Sequence, residues 1–225
     1  MLRIAFLALA WLMACTTSAR MATAASGEFP YGMSIEFAAF RNGQKIGTHR
    51  VDFERSGDRL VAITSINLTV KVLGLTAYRY SHRGQETWAG NRPISFDSST
   101  EDDGKTYAVR ARWDGPTLRV TREGPGRDGT GTGAFSSALL PSTHWNDTQV
   151  GQRLLLNAQK GVPEEIVVTA MGRELVETRS GKIAATRYRY DGGVRMEQWF
   201  DERGRWVKMR FVVSDGSTVD YVLQD

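Results

Sequence analysis

The sequence predicts an all-β fold: an antiparallel meander of about a dozen strands, curled into a barrel or half-barrel, with one or two short helices in a central loop. Three observations predict it. Apolar residues recur at every second position, most clearly from Ile66 to Trp88, and a period of two marks a strand with one buried face. Turn pairs such as Asn42-Gly43, Asp103-Gly104 and Asp215-Gly216 separate these runs roughly every 10–20 residues. Asn-Gly and Asp-Gly between alternating runs favour tight hairpins because both residues tolerate positive φ. That rhythm is the one of sequential antiparallel strands, not of βαβ units.

Tyr31, Met33, Ile35, Phe37 and Ala39 alternate up to the Asn42-Gly43 turn, and Val51 and Phe53 resume the pattern up to Ser56-Gly57-Asp58. Leu60, Ala62, Thr64, Ile66, Leu68, Val70 and Val72 form one apolar face up to Leu73-Gly74-Leu75. Beyond it, Tyr78, Tyr80, His82, Gly84, Glu86 and Trp88 share a face, while Arg79, Ser81, Arg83 and Gln85 share the other. Ile94 and Phe96 follow Ala89-Gly90, then come Tyr107, Val109, Ala111 and Trp113, and then Leu118 and Val120. Between Glu123 and Val150 the pattern breaks into a Gly-rich loop, in which Ala134 to Leu140 is expected to form a short helix ended by Pro141. Strands resume at Leu154–Leu156, Ile166–Met171, Glu174–Thr178 and Ile183–Tyr190, and the clearest three close the chain: Val194 to Phe200, Trp206 to Val213, and Val219 to Leu223.

The N-terminus reads as an export signal. Arg3 precedes an apolar run from Ile4 to Ala14, too short for a membrane-spanning helix of about 20 residues. Two processing sites compete: Leu12-Met13-Ala14-Cys15 resembles a lipoprotein box with Cys15 acylated, and Ala22-Thr23-Ala24-Ala25 offers small residues to ordinary signal peptidase. Residues 1–25 are thus a signal peptide, or a lipoprotein signal ending at 14, and 26–225 one β domain in the periplasm, soluble or tethered through Cys15. Cys15 is the only Cys, so no disulfide holds the mature chain. Setting aside Arg3 and Arg20 leaves 27 basic against 25 acidic residues, a balance that gives no case for nucleic acid. The 41% hydrophobic and 24% charged content is that of an ordinary globular chain.

Gly124-Pro125-Gly126-Arg127-Asp128-Gly129 fits the Gly-x-Gly-x-x-Gly spacing, but no helical period follows to aim N–H groups at a phosphate, so the match is accidental. His82 and Glu86 share a strand face about 13 Å apart and do not chelate one ion. A site using His49, His82 and His144 together requires the sheet and the central loop to bring them into contact. Ser136 and Ser137 are candidate hydroxyls near His144 for a hydrolase but lack a recognisable triad spacing. Arg79, Arg83, Arg110, Arg112 and Arg119 lie on the opposite face and are expected in solvent, where they discourage edge pairing or face lipid headgroups. The aromatic stripe of Phe37, Tyr78, Tyr80, Trp88, Phe96, Tyr107 and Trp113 either fills a core or lines a pocket at the mouth of the curled sheet.

The segments Val70-Lys71-Val72-Leu73-Gly74 to Tyr78-Arg79-Tyr80, Glu86-x-Trp88, Pro141 to Asn146, Trp199 to Lys208 and Asp215-Gly216-Ser217 resemble a family of uncharacterised bacterial exported proteins known only as a domain of unknown function. More remotely, the signal-bearing meander is similar to the LolA/LolB-like envelope proteins, and that resemblance implies a half-barrel that holds acyl chains. The leading expectation is non-catalytic binding of a lipid or other apolar small molecule, without a cofactor or metal. Its contacts are expected from Phe37, Tyr78, Tyr80, His82, Glu86, Trp88, His144 and Trp145, beneath a cover formed by Ala134–Trp145. The alternatives are a structural or interaction module with a filled core and an envelope protein as partner, and, third, a hydrolase.

Overall fold

The computed structural model describes residues 29–126 and 129–224, and within them every regular element but one is a strand. The export segment and Cys15 lie outside the described residues. Eight strands run in a meander: β1 (Ser34–Arg41), β2 (Gln44–Ser56), β3 (Arg59–Val72), β4 (Leu75–Ala89), β5 (Arg92–Asp102), β6 (Lys105–Asp114), β7 (Thr117–Glu123) and β8 (Gly131–Ser136). An inward-running segment then carries the short β9 (Leu140–Pro141), a 3-10 turn (Asp147–Gly151) and β10 (Leu154–Leu156). A second meander follows with β11 (Pro163–Thr178), β12 (Gly181–Gly192), β13 (Met196–Asp201), β14 (Trp206–Val212) and β15 (Thr218–Leu223). The last strand pairs with the first, so the two meanders join into one fifteen-stranded sheet ordered from β8 through β1 and β15 to β9. All neighbours are antiparallel except β9 and β10.

The sheet is not closed by hydrogen bonds; β8 and β9 are its two edges. It curls because its inner face must be covered, and the segment between β8 and β11 does the covering. Leu139, Leu156 and Ala158 from that segment pack on Phe96, Val109, Ala111, Leu118 and Val120 of β5 to β7. The Ser98 hydroxyl donates to the Ala158 carbonyl at 2.6 Å, which fixes the segment to β5. Side chains therefore bring the two ends of the ribbon together where a ladder does not.

A larger core occupies the other half of the interior. Phe37 and Trp206 lie tilted against each other with centroids 4.0 Å apart, and Trp145 meets Trp88, Phe53 and Tyr31 edge-on. Aromatic pairs of this kind add to the stabilisation from burial alone, which matters in a domain without a disulfide. The turns are those the sequence marks: Asn42-Gly43 and Asp103-Gly104 have both residues at positive φ, the geometry that matches strand twist in a two-residue hairpin. Leu73 takes the same conformation at φ 51 without the side chain that eases it.

Three expectations need correction. Ala134 to Ser136 belongs to β8, because it completes a ladder with β7 from Thr117 to Arg122; the described residues contain no α-helix and one 3-10 turn, N-capped by Asn146. Ile166 to Thr178 is one strand bulged between Ala170 and Gly172, not two. Met33 precedes the first strand and is exposed, so the inward alternation begins at Ile35. The Gly-x-Gly-x-x-Gly match falls between the end of β7 at Glu123 and the start of β8 at Gly131, and no helix follows it among the described residues.

Candidate functional site

The long β3–β4 hairpin supplies most of one wall. In β4 the predicted face is realised: His82, Gly84, Glu86 and Trp88 are buried, Tyr78 and Tyr80 half-buried, and Arg79, Arg83 and Gln85 exposed. Between this hairpin and β14–β15 the sheet encloses a hollow of about 700 Å³. Its wall is mainly aliphatic and aromatic, with Ile66, Leu68 and Val70 facing Met209, Phe211 and Tyr221. The hollow opens among the hairpin tips at one end of the sheet, where Val72, Ala77 and Tyr78 lie on one side and Arg41 and Asp215 on the other. Arg41 is already engaged, ion-paired to Asp215 and donating from Nε to Ser217 Oγ at 2.7 Å. The β3–β4 tip at this mouth is bare: Val72 is 53%, Leu73 99% and Leu75 76% exposed.

The inner end of the hollow is polar. A second space of about 190 Å³ adjoins it, and His49, Ile66, Tyr80 and His144 line both. His82 lines the second space, so the fold does bring the three histidines to one place, two from strands and one from the inward segment. The His49 and His144 ring centroids are 6.2 Å apart. His82 Nδ1 pairs with Thr100 Oγ1 at 2.7 Å, whereas both ring nitrogens of His49 and Nδ1 of His144 have no partner among the described atoms. Burial favours the neutral imidazole: it pushes His82 down to about 4 and, with the neighbouring histidine His82 adding to it, His144 down to about 4. His49 is lowered well below its usual value, again mainly by burial and then by the other two histidines. No group of three His, Cys, Asp or Glu side chains among the described residues is placed to hold a metal.

His144 is held in place by its backbone. Its φ is 72, a conformation costly for a residue with a Cβ, and Gln149 and Gln198 both donate side-chain N–H groups to its carbonyl, at 3.1 and 2.7 Å. The next residue, Trp145, anchors the segment. Its indole N–H donates to Glu86 at 2.6 Å, the Trp88 indole donates to the same carboxyl at 3.1 Å, and the Tyr31 hydroxyl donates to the Trp145 carbonyl. Burial at 2% exposure outweighs these bonds and one from Thr143, and pushes the Glu86 carboxyl up to about 7.

Of the eight residues expected at a ligand site, the structure sets Tyr78, Tyr80 and His144 on the main hollow and His82 on the polar space behind it. Phe37, Glu86, Trp88 and Trp145 lie instead in packed core, where Glu86 is the acceptor for both indoles. Ala134–Trp145 does not cover the hollow as a unit: its start is an edge strand, and only Ser142 to His144 reach the polar space. Ser136 and Ser137 are not among the residues around His144; Ser137 bonds to Pro116 in the β6–β7 turn. The sequence names His49 only as one of three histidines that the fold would have to gather, and Ile66 and Leu68 only as an apolar face; none of them, nor the β14–β15 side of the wall, is among the expected contacts. A signal existed for His49, since it falls in phase with Val51 and Phe53 on the inward face.

A family profile described as "Domain of unknown function (DUF6134)" matches residues 37–224. The chain belongs to the DUF6134 family. No curated protein matches it. A solved structure from Brucella abortus, a beta-barrel-like protein of domain of unknown function DUF1849, superposes with a TM-score of 0.59, covering 84% of this chain and 94% of that one at 11% identity. At that identity the likeness is one of fold, and it agrees with a curled, barrel-like sheet in this DUF6134 protein.

Proposed function

We propose that this DUF6134 protein is a non-catalytic binding protein of the cell envelope, holding an apolar or amphiphilic, lipid-like molecule inside its curled sheet. One observation carries the reading: the hollow of about 700 Å³ walled by Ile66, Leu68, Val70, Met209 and Phe211. Its size is that of typical small-molecule sites, about 300–1,000 Å³, and its make-up is theirs too, an apolar wall with a few convergent polar groups. A core built only for stability closes such a space, because unfilled volume forfeits packing energy. The export signal read at the N-terminus supports the compartment.

Native mass spectrometry of protein isolated from bacterial envelope tests the reading, together with displacement of 1-anilinonaphthalene-8-sulfonate by hexadecanoic acid. Support is a bound mass released by solvent extraction and a saturable displacement. A clean apo mass with no saturable displacement overturns it. The bare tip at Val72, Leu73 and Leu75 favours a second reading, an interaction module for another envelope protein. That reading predicts one stoichiometric partner lost on Leu73→Ser, with ligand displacement unchanged.

A further inference from the structure

A ligand in this hollow has a direction, because the two ends of the space differ in chemistry. The body of the space is walled by aliphatic and aromatic side chains, the charges at its mouth, Arg41 and Asp215, are already paired with each other, and the inner end opens on the histidines. Neutral imidazole offers one donor and one acceptor. His49 is 1% exposed and uses neither, and His144 leaves Nδ1 unused. Buried polar atoms in native proteins nearly always have partners, so the polar space asks for a guest that both donates and accepts.

The residues around that space include no Lys, Arg, Asp or Glu. The nearby carboxylates are already occupied. Asp102 accepts from the Tyr78 hydroxyl at 2.7 Å and from Gln159 Nε2 at 3.1 Å, and Glu86 accepts from the two indoles. A phosphate or a quaternary ammonium would therefore be buried without an opposite charge, which is strongly unfavourable. A hydroxyl-bearing head of no net charge fits instead. Building on the proposed binding of an amphiphile, we infer that the ligand is a single-chain carboxylic acid or alcohol that enters polar end first and pairs its head with His49 and His144. A carboxylic acid can sit there with its own proton or with that proton passed to one imidazole; both arrangements are net neutral, and the carboxylate so formed raises the affinity of the ring for its proton.

Four probes with the same sixteen-carbon chain separate the possibilities: hexadecanoic acid, hexadecan-1-ol, methyl hexadecanoate and hexadecylphosphocholine, each displacing 1-anilinonaphthalene-8-sulfonate. The acid and the alcohol are expected to bind at least about tenfold more tightly than the ester, which lacks a donor, and the phosphocholine, which brings charge. In His49→Leu the margin should shrink below about threefold while the probe itself still binds. A measurement on the unaltered protein guards against a variant that does not fold: the carboxyl carbon of [1-13C]hexadecanoic acid, followed by NMR against pH, should lose its free-solution titration and show contacts to the His49 ring. Equal binding of all four probes, or a carboxyl that titrates as in water, overturns the head-first orientation and leaves the binding proposal standing. Failure of every probe to displace the dye overturns both.

Discussion

Replacing Glu86 by Gln isolates the ionisation of one buried carboxyl. The group sits under Trp145 and Trp88, with its ordinary value near 4.5 raised to about 7 by burial. Between those two pH values the unfolded chain gives up the proton while the folded chain keeps it, so ionisation works against the fold as pH rises. The penalty is absent below about pH 4.5, grows through the window and is complete above about pH 7. At about 1.4 kcal/mol per pH unit the full change is about 3 kcal/mol. Gln does not titrate, and the histidines titrate alike in both proteins, so they cancel in the difference. Stability of the natural protein minus that of Glu86→Gln should thus fall by about 3 kcal/mol from pH 4.5 to 7. A constant offset also remains, because the amide presents an N–H to one of the indole donors. The assay is urea unfolding followed by tryptophan fluorescence at half-unit pH steps, fitted by linear extrapolation. A difference that stays flat across the window would show that the three donors, not burial, set the state of Glu86, and would refute the balance argued here.

Other perturbations test other parts of the fold. His82 is held down at about 4, so the unfolded chain gains its proton first and stability is lost as pH falls from 6.5 to 4; His82→Gln should flatten that acid limb by up to about 3 kcal/mol, read from the same urea titrations. Gly47→Ala places a Cβ 1.9 Å from the Asn67 carbonyl oxygen across the β2–β3 ladder; a loss of at least about 2 kcal/mol is expected on thermal or urea unfolding. Ile66→Phe puts extra bulk where the two hollows meet, and should weaken hexadecanoic acid displacement at least about tenfold while leaving the midpoint of unfolding within a few degrees. Trp145→Phe removes the shorter of the two indole bonds to Glu86 and should move the pH window of the Glu86 effect upward, measured against Trp145→Phe combined with Glu86→Gln.

The fold was legible because period two and hairpin chemistry are local. Asn42-Gly43 and Asp103-Gly104 turn where they were expected to, and the β4 face emerged with Tyr78, Tyr80, His82, Glu86 and Trp88 directed inward. What local pattern does not carry is the curl of a sheet. An inward-facing residue is a core residue or a cavity residue according to what the opposite wall brings to it. Trp88 and Glu86 meet Trp145 and become core, while Tyr80, six residues nearer the hairpin tip than Glu86, meets no ring from that segment, only the Gln159 side chain at its hydroxyl, and lines the hollow. The pairing of β1 with β15, which brings Tyr221 beside His49, joins residues from the two ends of the chain and leaves no trace in either strand alone. Ala134 to Ser136 was misread because Ala favours a helix and the run holds one bulky residue, Phe135, too few to show a period of two; its ladder with β7 decided it. The meeting of His49, His82 and His144 depended on the inward segment, whose path is set by Glu86, Gln149 and Gln198.

The claim that the curled sheet encloses a chain-shaped guest is tested most directly by intermolecular nuclear Overhauser effects. The sample is deuterated protein carrying protonated Ile, Leu and Val methyl groups, mixed with hexadecanoic acid. The account predicts contacts from the acyl chain to the methyls of Ile66, Leu68, Val70 and Val219. Contacts confined to the outer Val72, Leu73 and Leu75 methyls at saturating ligand, or none at all, would contradict it.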